Sequence, residues 1–247
     1  MHPLVVQSAQ LILAGDIQGA ESALVAIADQ QGDSALVAIL DELQPKDLLA
    51  LMREFDSSKE SVVNMVVTPE QFARAIVLEK KYGDRTGERL RAMMNAVIHR
   101  DLGTSTEYLE TIADLEGGSS TLADYFLDRY DEIFSFVTSG SFQPEFNPDL
   151  GPQNHTTWLM EKIEEIDHGL SFGNSMESGR PAVSRAEIAD SDWMETAWIL
   201  RYELPDAFEE ILIILRDRAA KLMEAMADFP LTARPAAAED DEEESAI

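Results

Sequence analysis

The one local hint of metal chemistry in this chain is Glu165-Ile166-Asp167-His168, a Glu-x-x-His run with Glu161 one helical turn before it. Helical di-iron sites use this half-motif, but they need a second copy and further carboxylates from facing helices. No second copy is present, and the four histidines (His2, His99, His155, His168) show no mutual spacing suited to a shared metal. The alternative is an exposed acidic helix end with a histidine in the last turn, where the helix dipole favours a cation. A second group, Asp124, Asp128, Asp131 and Glu132, places carboxylates along one helical face. Such a face could hold a hard divalent ion or supply an acid–base pair, or it could simply be solvated. No ligand loop, phosphate-cradling glycine loop or nucleophile elbow accompanies it. With no cysteine, thiolate chemistry, disulfides and cysteine-based zinc sites are excluded. The expectation is a protein with no cofactor and no catalytic residue of its own.

Binding is the better-supported chemistry. Trp193, Trp198 and Tyr202, with Met194 beside them, form an aromatic group that could anchor a partner or pack in the core. The two tryptophans are five residues apart, so they do not share one helical face. Basic residues are scarce, 19 against 47 acidic, yet seven of them (Arg74, Lys80, Lys81, Arg85, Arg89, Arg91, Arg100) fall between residues 74 and 100. They could pair with acidic neighbours, or dock an anionic ligand or the chain's own acidic tail. The formal net charge is −28, and the run Glu239–Glu244 supplies only six of the negative charges, so the body itself is acidic. That surface repels phosphate backbones, which argues against direct nucleic-acid binding and favours a basic protein partner. Ordinary solubility and adaptation to high salt would also produce it.

The elements that must carry these groups read as helices throughout. Ser22–Asp29 is SALVAIAD and Ser34–Asp41 is SALVAILD, the same octapeptide 12 residues apart. Leu48–Met52 continues the phase. Self-similarity at a fixed period marks units that borrow their neighbour's apolar face. Thr68-Pro69-Glu70-Gln71 carries a helix start, with Thr68 as cap, Pro69 in the first turn and Gln71 placed to reach back. Apolar spacing predicts further helices over 88–100, 105–116, 121–138, 157–168, 190–203 and 206–228. The fold class expected is all-α: an N-terminal solenoid-like stack of short helices over 1–138, a Pro/Gly-rich linker over 139–156 and a helical C-terminal region over 157–229. An acidic tail over 230–247 has too little apolar surface to order itself. No apolar run approaches the length of a membrane span, and residues 1–13 do not read as a signal peptide, so a cytoplasmic protein without membrane contact is expected.

The stretch from Ala20 to Gln71, in ALVAILDELQPKDLLALMREFD and TPEQFARAI, resembles the cytosolic N domain of MgtE-type magnesium channels. The resemblance implies a right-handed superhelix of short helices and an acidic surface responsive to divalent cations. No membrane segment or paired nucleotide-sensing domain follows, so channel activity is not implied. The resulting expectation is an adaptor or regulatory protein that binds a basic partner. Two alternatives stand beside it. One is a nucleic-acid-mimicking decoy of a DNA-binding protein; the other is a divalent-cation sensor or carboxylate-based enzyme.

Overall fold

A computed structural model describes residues 2–54, 61–82, 87–101, 103–146, 152–168, 183–188 and 192–228. The described residues form helices and turns with no strand. In chain order they are α1 (Pro3–Leu13), α2 (Ile17–Gln31), α3 (Asp33–Glu42), α4 (Pro45–Glu54), α5 (Val62–Val66), α6 (Pro69–Tyr82) and α7 (Gly87–Ile98). Then come α8 (Ser105–Asp114), α9 (Gly118–Tyr125), a 3-10 turn (Leu127–Arg129), α10 (Tyr130–Ser139), α11 (Pro152–Asp167), α12 (Arg185–Ile188), α13 (Asp192–Glu203) and α14 (Pro205–Asp228). No helix among the described residues is long and apolar enough to cross a membrane. The acidic tail expected over 230–247 lies outside the described residues, as does the part of the expected linker at 147–151.

The two octapeptides match in burial at all but the seventh position, where Leu40 is buried and Ala28 only half-buried. Leu24 and Leu36 are fully buried, Ile27 and Ile39 nearly so, and Ser22, Ala26 and Asp29 face solvent as do Ser34, Ala38 and Asp41. Gly32, at φ +86°, makes the left-handed turn between them, a conformation that side chains with a Cβ resist. At Thr68 the reciprocal cap forms: Thr68 N donates to Gln71 Oε1 at 3.1 Å, and Gln71 N donates to Thr68 Oγ1 at 3.4 Å. The Gln71 amide nitrogen also donates to the Val37 carbonyl at 3.3 Å and to Asp41 Oδ1, so the start of α6 is tied to the end of the second octapeptide.

One contiguous apolar cluster runs from Val5 in α1 to Ala219 in α14. Near its middle sits α9, packed by α6, α7, α8 and α14. The turn before α9 tolerates little: Gly117 has φ +87°, and a Cβ on Gly118 would stand 1.6 Å from the Ile112 carbonyl oxygen. From α14, Glu210 accepts a hydrogen bond from Ser119 Oγ at 2.8 Å and Arg218 donates to Ser120 Oγ at 2.7 Å.

The single helix expected over 121–138 is broken. Its chain forms α9, then the 3-10 turn, then α10, with Phe126 at φ −96° and ψ 0° at the break. The cause is the aromatic content. Tyr125, Phe126, Phe134 and Phe136 are all fully buried, and one straight helix at about 100° per residue could not aim all four at one core. Breaking it lets Tyr125 and Phe126 meet edge to face at 4.8 Å, while α10 packs between α11 and α14. A second difference is the start of α11, which begins at Pro152 and not near Thr157; proline suits a first turn because its missing N–H has no intrahelical partner there.

Candidate binding site

The aromatic residues expected to anchor a partner are joined by residues from another part of the chain. Trp198 and Tyr202, one turn apart on α13, have ring centroids 4.8 Å apart. Tyr202 meets Phe136 of α10 at 6.4 Å, Phe136 stacks on Phe142 at 4.1 Å and 11°, and Phe142 meets Trp193 edge-on at 5.4 Å. The two tryptophans thus belong to one aromatic ladder although they point different ways from their own helix. Arginines interleave with it. Arg129 lies 5.5 Å from the Trp193 ring centroid, Arg201 4.7 Å from Phe136 and 5.5 Å from Tyr202, and Arg185 5.9 Å from Trp198. Guanidinium groups over aromatic faces are held by the ring quadrupole, more strongly when desolvated. Arg201 is buried, donates to the Phe136 carbonyl, and has its guanidinium pulled below the ordinary arginine range by that burial.

Backbone geometry sets the ladder. Gly140, at φ +79°, ends α10 and donates from its N–H to Phe136 O at 2.9 Å, turning the chain so that Phe142 folds back over Phe136. Trp198 Nε1 donates to Val183 O at 3.1 Å, and Val183 N donates to Gly140 O at 3.4 Å. Buried polar groups also fix α13. Thr196 Oγ1 bonds His99 Nε2 at 2.9 Å and Tyr125 OH at 3.2 Å, and Tyr125 OH donates to Asn95 Oδ1 at 2.7 Å. Glu195, only 1% exposed, accepts from Arg185 Nε at 2.9 Å and lies 3.8 Å from His99 Nδ1.

Beside the ladder opens a cleft of about 590 Å³. Phe142, Trp193, Met194 and Ile188 supply its apolar wall, and Glu132 and Glu187 supply carboxylates. Hydrogen bonds from the Ser184 hydroxyl and N–H, each 2.7 Å, hold the Glu187 carboxyl below its usual range and therefore charged. Glu132 pairs with Arg129 at 3.0 Å.

The carboxylates considered for a metal are each engaged elsewhere. Asp124 pairs with Arg218, Asp128 with Arg91, and Asp131 with His155 at 2.8 Å. Among the described residues no three metal-ligating side chains gather. Glu161, Glu165 and His168 are exposed at the end of α11, where Lys162 pairs with Glu165 at 2.8 Å and His168 Nδ1 bonds the Glu164 carbonyl at 2.7 Å. Of the basic group, Arg91 is buried and donates to Asp128 and to the Tyr125 carbonyl. Arg100 donates to the Asn64 and Val67 carbonyls and to Tyr108, and Arg74 is exposed on α6. The side chains of Lys80, Lys81, Arg85 and Arg89 lie outside the described residues. Sequence reasoning missed Phe142, Arg129, Arg185 and Arg201 as members of the site; the signal for Phe142 was an isolated aromatic residue in a Pro/Gly-rich stretch.

Comparison with protein-family models, with curated proteins and with solved structures finds no match to this chain.

Proposed function

We propose that this chain is a non-enzymatic helical adaptor that takes a basic segment of a protein partner into the cleft beside Trp193. The observation that carries this reading is the cleft's composition: aromatic faces of Phe142 and Trp193 within one cavity that also presents Glu132 and Glu187. A lysine or arginine side chain satisfies both at once, through cation–π attraction and a charge-assisted hydrogen bond to Glu187, since Glu132 already pairs with Arg129. The net charge of −28 adds long-range attraction for such a segment and discourages acidic ones. In this reading residues 20–71 form the solenoid-like stack that the resemblance to MgtE-type N domains implies, and the burial of the two octapeptides, matched at all but one position, supports it. A cysteine-free chain suits a cytoplasmic setting.

The test is titration with peptides of about a dozen residues rich in Lys and Arg, followed by tryptophan fluorescence and calorimetry. Binding should weaken markedly between about 0.15 and about 0.5 M salt, where exposed charges are screened within a few ångströms. Trp193→Ala combined with Glu187→Gln should lower affinity about tenfold or more, a loss of about 1.4 kcal/mol or more. Basic peptides that fail to bind, or that bind this variant as tightly as the natural chain, would overturn the reading.

A further inference from the structure

Residues 183–188 lie against α13 as a strap. Within it α12 is a helix of 4 residues packed on α13, too short to persist without that support. Its buried residue, Ile188, stands outside the apolar cluster that joins α1 to α14. Two hydrogen bonds at the Val183 backbone tie the start of the strap, and its charged ties converge on Arg185. Arg185 donates from Nε to Glu195 at 2.9 Å and from Nη1 to Glu203 at 3.3 Å, and its guanidinium lies 5.9 Å from the Trp198 ring centroid. Glu195 is 1% exposed, whereas the Arg185 side chain keeps 30% of its surface open to solvent.

We propose that Glu195, Glu203 and Trp198 form a seat for a guanidinium, which Arg185 fills in the free chain and an arginine of the partner's basic segment takes over on binding. The exchange rests on the reading of the cleft as the site of that segment. Burial decides the chemistry. A carboxylate out of water is strongly destabilising without a hydrogen-bonded cation, and His99 Nδ1, at 3.8 Å from Glu195, is beyond hydrogen-bond reach. The strap can therefore leave α13 only in exchange for another cation. The geometry narrows that cation to arginine, because one planar group donates to two carboxylates while it lies over an indole, and a lysine ammonium is a single point charge. The seat adjoins the cleft: Val183, Glu187 and Ile188 of the strap line it. Trp193 of the cleft precedes Glu195 by two residues and Trp198 by five, about 3 and about 7.5 Å along the helix axis, so one short segment spans both. Arg185 is thus a built-in competitor that lowers the affinity of the natural chain in proportion to its occupancy of the seat.

The experiment is thermal unfolding of Arg185→Ala with methylguanidinium chloride, against equal concentrations of methylammonium chloride and sodium chloride. Arg185→Ala should melt below the natural chain, and about 10 mM methylguanidinium should raise its midpoint by about 3 °C or more. The natural chain, whose seat is filled, should not respond. Neither should Arg185→Ala with Glu195→Gln, which should melt above Arg185→Ala alone because no buried charge is left uncompensated. In calorimetry an arginine-rich peptide should bind Arg185→Ala about tenfold tighter than the natural chain, and its lysine counterpart no more than about twofold tighter. Arg185→Lys keeps a cation at Glu195, and the fold with it, and should gain about threefold for the arginine peptide. A midpoint that methylguanidinium does not raise, or that methylammonium raises as much, would overturn the inference. An arginine peptide that binds the natural chain and both Arg185 variants alike would overturn it too, while leaving the reading of the cleft in place. The thermal arm contains no peptide, so it decides the seat whether or not the cleft binds one.

Discussion

His155 Nε2 stands 2.8 Å from Asp131 Oδ2, joining α11 to α10 within a ring of Phe146, Trp158 and Tyr130. Burial raises the Asp131 carboxyl above its ordinary 3.8, the His155 hydrogen bond and charge oppose that rise, and Glu132 adds to it. The folded chain therefore holds a proton at Asp131 in a window above 3.8 in which the unfolded chain has released it. Stability from this group rises as pH falls through the folded value and levels off below the unfolded one. Asp131→Asn removes the titration while keeping a hydrogen-bonding partner for His155. The variant should gain most over the natural chain near neutral pH, and the gain should shrink towards about pH 4, as read by urea unfolding. A gain that grows on acidification would contradict the sign.

Gln71 closes the Thr68 cap and also holds Val37 and Asp41 of α3. Thr68→Ala removes the cap alone and should cost about 1 kcal/mol. Gln71→Ala removes the return bond and both cross-helix bonds, for roughly 2 kcal/mol. Gln71→Glu should fall below Gln71→Ala, because it sets a carboxylate against Asp41. Denaturant midpoints of the three variants check the order.

Two adjacent glycines before α9 should behave differently. Gly117→Ala meets only Val77 Cγ1 at 3.7 Å, so its cost is the left-handed backbone, about 1–2 kcal/mol. Gly118→Ala drives a methyl into the Ile112 carbonyl and should cost roughly 3 kcal/mol by displacing α9. Thermal unfolding that ranks Gly117→Ala as the worse of the two would refute the account.

Millimolar magnesium, calcium or manganese should leave the melting temperature within about 1 °C, since Asp124, Asp128 and Asp131 are each paired with a basic group. A cation at a hundred times its dissociation constant would add about 2.7 kcal/mol, or roughly 5–10 °C for a chain of this size. A rise of that size would restore the cation-sensor reading.

The sequence disclosed what is local. The all-helical class, the burial of the octapeptides and the Thr68–Gln71 cap depend on spacings of a few residues, and they stand in the structure as the spacing predicts. The break at Phe126 stayed hidden because a 3.6-residue period records which residues are apolar, not how many directions they must face. The ladder stayed hidden because Arg201 and Phe136 are 65 positions apart. Glu195 and Thr196 look like surface residues in the sequence, yet they are buried through His99, Tyr125 and Arg185, partners that no local pattern reveals.

The dependence of α9 on α14 has a consequence for synthesis on the ribosome. A helix of 8 residues is too short to persist alone, and its hydrogen-bonded cover from Glu210 and Arg218 lies more than 90 positions downstream. At about 5–20 residues per second, the nascent chain carries the side of α9 marked by Ser119, Ser120 and Asp124 without its cover for roughly 5–20 s before α14 emerges. Stop codons placed before Pro205 should therefore yield chains held by chaperones, with the earlier helices formed and their centre still open.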